Sequence, residues 1–203
     1  MILTKIEMSL SDPAVRAALR DAQKMHQLVA GLFQTTREDA QLLYRVRAQG
    51  INVALYLYAD RPVDRSRLRQ GMQLAGERDM SDWLDAMQTG RRMGFELMTM
   101  PFKKTAEEDE KNSRRRVLRT QEERMAWLAR KAEQNGFFIL ELRESPGEKI
   151  VAAHSAEKGG RLYLDSFRYE GVLQITDAAS FREAIRKGIG PGKAYGLGML
   201  LLR

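Results

Sequence analysis

The sequence contains no cysteine, which excludes disulfides and thiolate metal sites and is typical of a reducing compartment. No run approaches the roughly 18 apolar residues that a membrane-spanning helix needs. The first eight residues carry Lys5 and Glu7 within their apolar run, which is unlike a signal peptide. We therefore expect a soluble, cytoplasmic protein with no membrane partner.

Histidine is scarce: His26 and His154 are the only two. The chain has no His-x-x-x-His pair and no pair of aspartates at a useful spacing, so we predict neither a metal nor another cofactor. A Gly-x-Ser-x-Gly nucleophile elbow is also missing. The simplest enzymatic chemistry left needs one titratable side chain and positive charge. An RNA transesterase meets these limits, because RNA supplies its own nucleophile, the 2′-hydroxyl.

Basic residues are in excess, with 34 Lys and Arg against 27 Asp and Glu and a net charge of +7. This balance favours a polyanionic partner. The hydrophobic fraction of 43% is enough for a core, so the chain is a folded protein and not a basic tail. Its 203 residues allow one large domain or two small ones.

The most informative segment is the tail Gly188-Ile-Gly-Pro-Gly-Lys-Ala-Tyr-Gly-Leu-Gly, followed by an apolar run. Glycine tolerates positive φ and close backbone approach, and Lys193 adds a charge beside exposed N–H groups, a combination that suits a phosphate backbone. The segment fits neither a Walker loop nor a dinucleotide-binding fingerprint. The alternative is a helix C-cap followed by a tight turn. The glycines concerned are Gly188, Gly190, Gly192, Gly196 and Gly198.

A second basic cluster flanks the acidic run 107–110, in a stretch that we predict to be a mobile linker at about 104–113. Arginine forks pair with phosphate and reach base edges, so the cluster is a candidate RNA-binding segment. The alternative is a solvated charged face. Its members are Lys103, Lys104, Arg114, Arg115, Arg116 and Arg119.

Hydrophobic periodicity divides the chain into two similar halves. In the first half we predict a strand at 2–9, a helix at 13–33, a hairpin of strands at 42–47 and 52–58, a helix at 81–87 and a final strand at 93–101. The stretch 60–77 is polar and ambiguous. In the second half a capping box at 120–123 opens a helix that ends at 135–136, and strands at 137–142 and 161–175, a helix up to Gly188 and a strand at 197–202 follow.

Both halves follow the order strand–helix–strand–strand–helix–strand, although the first strand of the second half is unclear and may lie near 93–103. We therefore predict an α+β fold of tandem ferredoxin-like domains, βαββαβ, with the glycine-rich loop before the last strand. The predicted domains are 1–92, which carries His26, and 93–203, which carries the basic segment and the glycine-rich loop. Sheets of this topology are common RNA-binding platforms.

His26 lies at the edge of the apolar stripe of the first helix, one residue after Met25. There an imidazole can be half buried and still reach a ligand, and because it titrates near pH ~6.5 it can transfer a proton. The alternative is a boundary histidine that only packs its ring. His154 stands in a polar loop, where we expect a structural or incidental role.

Several motifs together resemble the CasE endoribonuclease family of type I-E CRISPR systems, over essentially the full chain. They are the glycine-rich tail, Met25-His26-Gln27, Phe95 with Pro101-Phe-Lys-Lys104, Arg115-Arg116-Val and Met125-Ala-Trp-Leu-Ala129. The resemblance implies a protein that binds the CRISPR repeat hairpin and cuts precursor CRISPR RNA at the 3′ base of the stem. It further implies cleavage without metal, products with a 5′-hydroxyl and a 2′,3′-cyclic phosphate, and retention on the mature RNA beside other subunits of the Cascade complex.

In this resemblance His26 is the catalytic histidine, acting as acid or base at the scissile phosphate. The sequence departs from the family at Gln23, where relatives carry tyrosine; glutamine can bond the phosphate but cannot act as a phenolic acid. Lys24 is a second candidate, for charge at the transition state. The alternative function is a non-catalytic RNA-binding scaffold of a ribonucleoprotein, and a third is shape-based binding of double-stranded RNA.

Overall fold

A computed structural model describes residues 1–34, 41–49, 51–105, 114–153 and 161–203. In this part of the chain eight strands form two four-stranded antiparallel sheets, and two further strands form a hairpin. Helices pack on one face of each sheet. The structure confirms the predicted α+β class and the tandem ferredoxin-like arrangement. No helix of the described residues is long and apolar enough to cross a membrane.

The first sheet has the strand order β2-β3-β1-β4. Two helices, α1 (Pro13–Arg20) and α2 (Ala22–Ala30), cover one face, and their inward residues pack with Ile6 and Leu55 of the sheet. The predicted first strand and hairpin are confirmed. The strands are β1 (Ile2–Met8), β2 (Leu43–Gln49), β3 (Asn52–Ala59) and β4 (Met72–Asp79).

The single helix predicted at 13–33 is wrong, because the backbone at Asp21 is extended, with φ −145° and ψ 111°. The Asp21 N–H donates to the Ala18 carbonyl and ends α1, while the Asp21 carboxylate accepts from the Gln23 N–H at 2.9 Å and starts α2. Aspartate favours this N-cap conformation over a helix interior. The apolar stripe continues in phase across the break, which explains why periodicity alone did not detect it.

The assignment of strands to the first half also needs correction. β4 lies in the stretch that the sequence left ambiguous, because it is an edge strand whose residues are mostly exposed and therefore do not alternate. The strand predicted at 93–101 exists as β5 (Arg92–Thr99), but it belongs to the second sheet. It is therefore the first strand of the second unit and not the last strand of the first. A short helix, α3 (Ser81–Asp85), joins the two sheets.

The second sheet has the order β10-β5-β9-β8, and α4 (Gln121–Gln134) and α5 (Ala178–Lys187) cover one face. The predicted capping box is confirmed: Thr120 Oγ1 accepts from the Glu123 N–H at 3.2 Å, and the Glu123 carboxylate accepts from the Thr120 N–H. The remaining strands are β8 (Phe137–Ala153), β9 (Arg161–Ile175) and β10 (Leu200–Leu202). The order β5-α4-β8-β9-α5-β10 is ferredoxin-like.

A two-stranded hairpin, β6 (Phe102–Thr105) and β7 (Arg114–Val117), is inserted between β5 and α4. The predicted mobile linker at about 104–113 overlaps the ends of these strands, so those ends are strand and not loop. Positions 106–113 lie outside the described residues.

The helix-free face of the first sheet packs against the second unit. Leu43 and Tyr58 belong to the same buried cluster as Phe95 and Leu97 of β5. Farther along, Arg47 on β2 donates to the Glu96 carboxylate at 2.6 Å. Apolar contacts and an ion pair therefore both join the two sheets.

Candidate nucleic-acid interface

The five glycines of the tail all have positive φ, from 72° to 84°. A Cβ at Gly190 would collide with Thr99 Oγ1 and lie 3.0 Å from the Trp127 ring, and a Cβ at Gly196 would lie 2.9 Å from Cε2 of buried Tyr44. The sequence assigned these glycines to phosphate contact because five exceed the need of one helix cap. Backbone conformation and packing inside the protein already require them, so their number alone is no argument for RNA.

The same glycines build a short 3-10 turn, Lys193–Tyr195, between two left-handed residues, Gly192 and Gly196. The Tyr44 hydroxyl donates to the Ala194 carbonyl at 2.8 Å and ties the turn to β2. The turn also packs against α2. The structure thus brings the glycine-rich segment to the helix that carries His26. The predicted helix cap is present as well, since Gly188 ends α5.

His26 is half buried at the edge of the buried stripe of α2, where the sequence predicted it. Its neighbour Met25 is buried, and the His26 Nδ1 atom is enclosed. Besides the glycine turn, α2 contacts β8 of the second unit. The imidazole therefore lies on a helix held between the two units.

A cleft of about 320 Å³ lies beside α2 at the junction of the two units, and we call it the interdomain cleft. Its walls are the α1–α2 break, the middle of β2, the outer part of β8 and the glycine turn. The lining residues are 18–22, Met25, 44–46, 148–151, Tyr195 and Gly196.

Positive charge lies beneath and around this cleft. Arg45 is only 4% exposed, with one guanidinium nitrogen 3.6 Å from the Glu148 carboxylate and an Nε that has no hydrogen-bond partner among the described residues. Burial lowers the pKa of Arg45, and the nearby Glu148 charge opposes that shift. Arg20 and Lys149, both exposed, also line the cleft. Asp21 and Glu148 are the two acidic residues in the lining, so the three basic residues leave a small excess of positive charge that favours an anionic ligand.

Sequence reasoning missed two residues of this cleft, Lys149 and Tyr195. The predicted strand stopped at residue 142, whereas β8 continues through an irregularity in register between Pro146 and Lys149. Such bulges re-aim side chains beside functional sites. The pair Pro146-Gly147 is typical of a turn, so it offers a sign of the break that the sequence analysis did not use, but no sign of the strand beyond it. Tyr195 gave no signal apart from its place in the glycine segment.

The structure does not bring Lys24 to His26. Successive helical residues are about 100° apart, so residues 24 and 26 point about 160° away from each other. Lys24 instead lines a separate cleft with Arg67 and Arg69. Gln23 lies about 60° from His26 around the helix, on the same side. Of the two weaker candidates, only Gln23 remains near the imidazole.

The hairpin of β6 and β7 gathers most of the second basic cluster. Its register opposes Lys103 with Arg116 and Lys104 with Arg115. Lys103 and Arg116 put like charges opposite each other, which destabilises a ladder, so this pair is better suited to a bound polyanion than to isolation. Arg116 also donates to Glu123 at 2.6 Å, which fixes the hairpin to the start of α4. The remaining members are Arg114, which opposes Thr105, and exposed Arg119, just before α4.

Within the described residues no group of three His, Asp or Glu side chains is placed to hold a metal ion. His154 lies outside the described residues, so its expected structural role is still a prediction.

Comparison with known proteins gives consistent matches over the whole chain. The model of the CRISPR associated protein family matches residues 1–203. The chain is 30% identical, over 214 aligned positions and 98% of each protein, to the CRISPR-associated endoribonuclease Cse3 of Thermus thermophilus.

Solved structures agree with this match. One, of CRISPR endoribonuclease Cse3 bound to a 19-nucleotide RNA, has a TM-score of 0.87 at 27% identity over 100% of both chains. Another, of Thermus thermophilus Cse3 bound to an RNA representing a pre-cleavage complex, has a TM-score of 0.82 at 25% identity, again over 100% of both chains. The protein belongs to the CasE family of CRISPR-associated proteins.

Proposed function

We propose that the protein is an endoribonuclease that binds the CRISPR repeat hairpin and cuts precursor CRISPR RNA at the 3′ base of the stem. One observation carries the proposal: the helix with His26 packs against both the glycine turn and β8, beside a cleft with an excess of basic over acidic residues. The relative Cse3 is an endoribonuclease, and its structure with a pre-cleavage RNA has the same fold. After cleavage the protein stays on the hairpin as a subunit of the Cascade complex.

The reaction is an RNA transesterification. The 2′-hydroxyl loses its proton and attacks the adjacent phosphorus, the bond from phosphorus to the 5′-oxygen breaks, and that oxygen takes up a proton. The products are a 2′,3′-cyclic phosphate and a 5′-hydroxyl. His26 transfers one of these protons, and because its Nδ1 is enclosed, Nε2 is the nitrogen that meets the RNA. No metal is needed, since the RNA carries the nucleophile.

The charge that develops on the phosphate needs stabilisation, and Lys149 is placed to supply it from the rim of the interdomain cleft. Tyr195 contributes a phenol to the same cleft, on the turn that contacts α2. Relatives carry a tyrosine at the position of Gln23, and the Tyr195 phenol replaces the hydroxyl that Gln23 lacks. We expect Lys149→Ala to lower the single-turnover rate about 100-fold or more, and Tyr195→Phe by a smaller factor.

The main test uses the repeat RNA in EDTA. We expect the parent protein to cut it and His26→Ala to leave it intact while binding the hairpin within a few-fold of the parent. His154→Ala is the matched control and should cut normally. RNA that stays intact with the parent protein would favour the alternative, a non-catalytic RNA-binding scaffold. An active His26→Ala protein would remove His26 from the mechanism.

A modified substrate assigns the proton transfer. With sulfur in place of the leaving 5′-oxygen, the leaving group needs no proton. If His26→Ala cuts this RNA at a rate near that of the parent, His26 is the general acid. If His26→Ala stays inactive, His26 is the base that acts on the 2′-hydroxyl.

The basic hairpin and Lys193 set affinity in this proposal. Each lost phosphate contact should reduce the slope of log affinity against log salt by about 0.7–0.9. We expect Arg115→Ala to show that reduced slope while the RNA is still cut at the same position. An unchanged slope would mean that the segment is only a solvated face.

A further inference from the structure

A second cleft, of about 390 Å³, lies on the far side of α2 from His26. Its polar lining residues are Lys24, Gln27, Arg67 and Arg69, and we call it the basic cleft. Its floor is formed by small and apolar residues of α1, α2 and β4, among them Ala17 and Met72. The proposed cleavage reaction uses none of these four polar side chains.

The basic cleft keeps positive charge available for a ligand. Lys24 is exposed and forms no hydrogen bond or ion pair with any residue that the structure describes. The side chains of Arg67 and Arg69 are 48% and 55% exposed. Each lies near one carboxylate, at 3.3 Å from Asp64 and 3.6 Å from Asp12. A guanidinium carries five N–H donors, so both arginines retain donors for a second partner.

The two carboxylates are themselves occupied by turns of the chain. Asp12 Oδ1 accepts from the Ala14 N–H at 2.7 Å and caps α1. Asp64 accepts from the Ser66 hydroxyl and from Gln34, and these bonds lower its pKa to about 2. Both acids are therefore structural caps that cancel only part of the local positive charge.

Two polar residues of α2 lie between the basic cleft and His26 around the helix. At about 100° per residue, Gln23 and Gln27 fill the arc between His26 and Lys24. Neither α1 nor α2 contains an acidic residue. A helix is about 10–12 Å wide, so a strand that crosses α2 reaches Lys24 within that distance and meets no negative side chain of the helix.

We propose that the basic cleft binds the unpaired RNA that adjoins the scissile phosphate. This proposal rests on the proposed function. Lys24, Arg67 and Arg69 contact successive phosphates, and Gln27 bonds a sugar or base. Among the described residues that line the cleft none is aromatic, so we expect binding without base stacking and without dependence on sequence. The RNA hairpin binds elsewhere, at the interdomain cleft and at the two-stranded sheet of β6 and β7. The basic cleft therefore adds affinity for the longer precursor only.

Binding measurements in the His26→Ala background, where RNA stays intact, test this. Four RNAs are compared: the bare hairpin, the hairpin with a 5′ flank, the hairpin with a 3′ flank, and the flank alone. We expect the 3′ flank, which adjoins the scissile phosphate, to tighten binding about tenfold, and the 5′ flank, which the mature RNA keeps, to add little. Lys24→Gln with Arg67→Gln and Arg69→Gln should abolish that gain, reduce the salt slope for the flanked RNA by about 2, and leave the bare hairpin within twofold.

The control variant neutralises three exposed basic residues that line neither cleft, Arg78, Arg91 and Lys187, and should keep the gain. Lys24→Gln alone removes no hydrogen bond or ion pair among the described residues. It should lose part of the affinity gained from the flank even if the triple variant is unstable. The proposal is overturned if the 3′ flank does not tighten binding, or if the triple variant weakens the bare hairpin equally. Failure of the parent to bind any RNA hairpin would refute the proposed function instead. In that case the affinity for the flank alone still reports RNA binding by the basic cleft.

Discussion

At the scale of single residues, the glycines of the tail show how one feature serves two needs. Their positive φ lets the chain turn sharply between α5 and β10, and their missing side chains let it lie against Tyr44 and Trp127. Gly196 is the clearest case, since φ is 78° and the Tyr44 ring blocks the Cβ position. The loop is therefore already packed against the protein without a ligand, and a preformed loop lowers the entropy cost of binding RNA.

Gly196→Ala should destabilise the protein by about 1–3 kcal/mol, because the left-handed backbone is strained for alanine and the Tyr44 ring must move. Gly76→Ala is the matched control: its Cβ would meet nothing within 4 Å, so it should stay within about 0.5 kcal/mol. Urea unfolding measures both. Equal effects of the two substitutions would contradict the packing role of Gly196.

The limits of sequence reasoning are also visible at this scale. The position of His26 could be predicted because it depends on the apolar stripe of its own helix. The packing role of the glycines could not, because their partners are distant; Tyr44 meets Ala194 across 150 positions of sequence. Lys24 shows the opposite limit: it is close to His26 in sequence, yet helical geometry puts it on the other side of α2, and its role in catalysis stays a prediction. Lys149 needed knowledge of a bulge in β8.

At the scale of elements, the break at Asp21 separates α1 from the helix that carries His26. One residue ends α1 and starts α2, so α2 can change direction and lie against the glycine turn and β8. A continuous helix would carry the imidazole along the axis of α1. The apolar pattern predicted the two helices as one because it records which face is buried and not the direction of the axis.

Asp21→Ala should cost about 1 kcal/mol of stability through loss of the N-cap bond to Gln23. It should also slow cleavage more than it weakens hairpin binding, because α2 presents the proton-transferring group. Asp21→Ser keeps a capping oxygen and should restore most of both properties. Urea unfolding, single-turnover cleavage and hairpin affinity separate these effects. A normal cleavage rate in Asp21→Ala would show that the orientation of α2 does not depend on the cap.

At the scale of the whole molecule, the two units meet through a buried carboxylate. Glu96 is 3% exposed and accepts from Arg47 at 2.6 Å and from Arg203 at 2.7 Å. Arg47 lies in the first sheet, whereas Glu96 and Arg203 belong to the second unit. Sequence patterns predict the strands in which such residues lie. They cannot predict which residues form ion pairs, because these ion pairs form between different sheets. This junction positions the interdomain cleft, which takes one wall from each unit.

The contacts of Glu96 predict that the stability effects of substituting its two arginine partners are not additive. Arg47→Ala or Arg203→Ala alone should cost about 1 kcal/mol, since both arginines are partly exposed and Glu96 keeps one partner. The double variant leaves a buried carboxylate without either partner and should cost about 3–5 kcal/mol, more than the sum of the single effects. Glu96→Gln added to the double variant removes the buried charge and should restore part of the loss. Urea unfolding of all four variants measures the coupling. Strict additivity would mean that another charge, such as that of nearby Arg45, compensates Glu96.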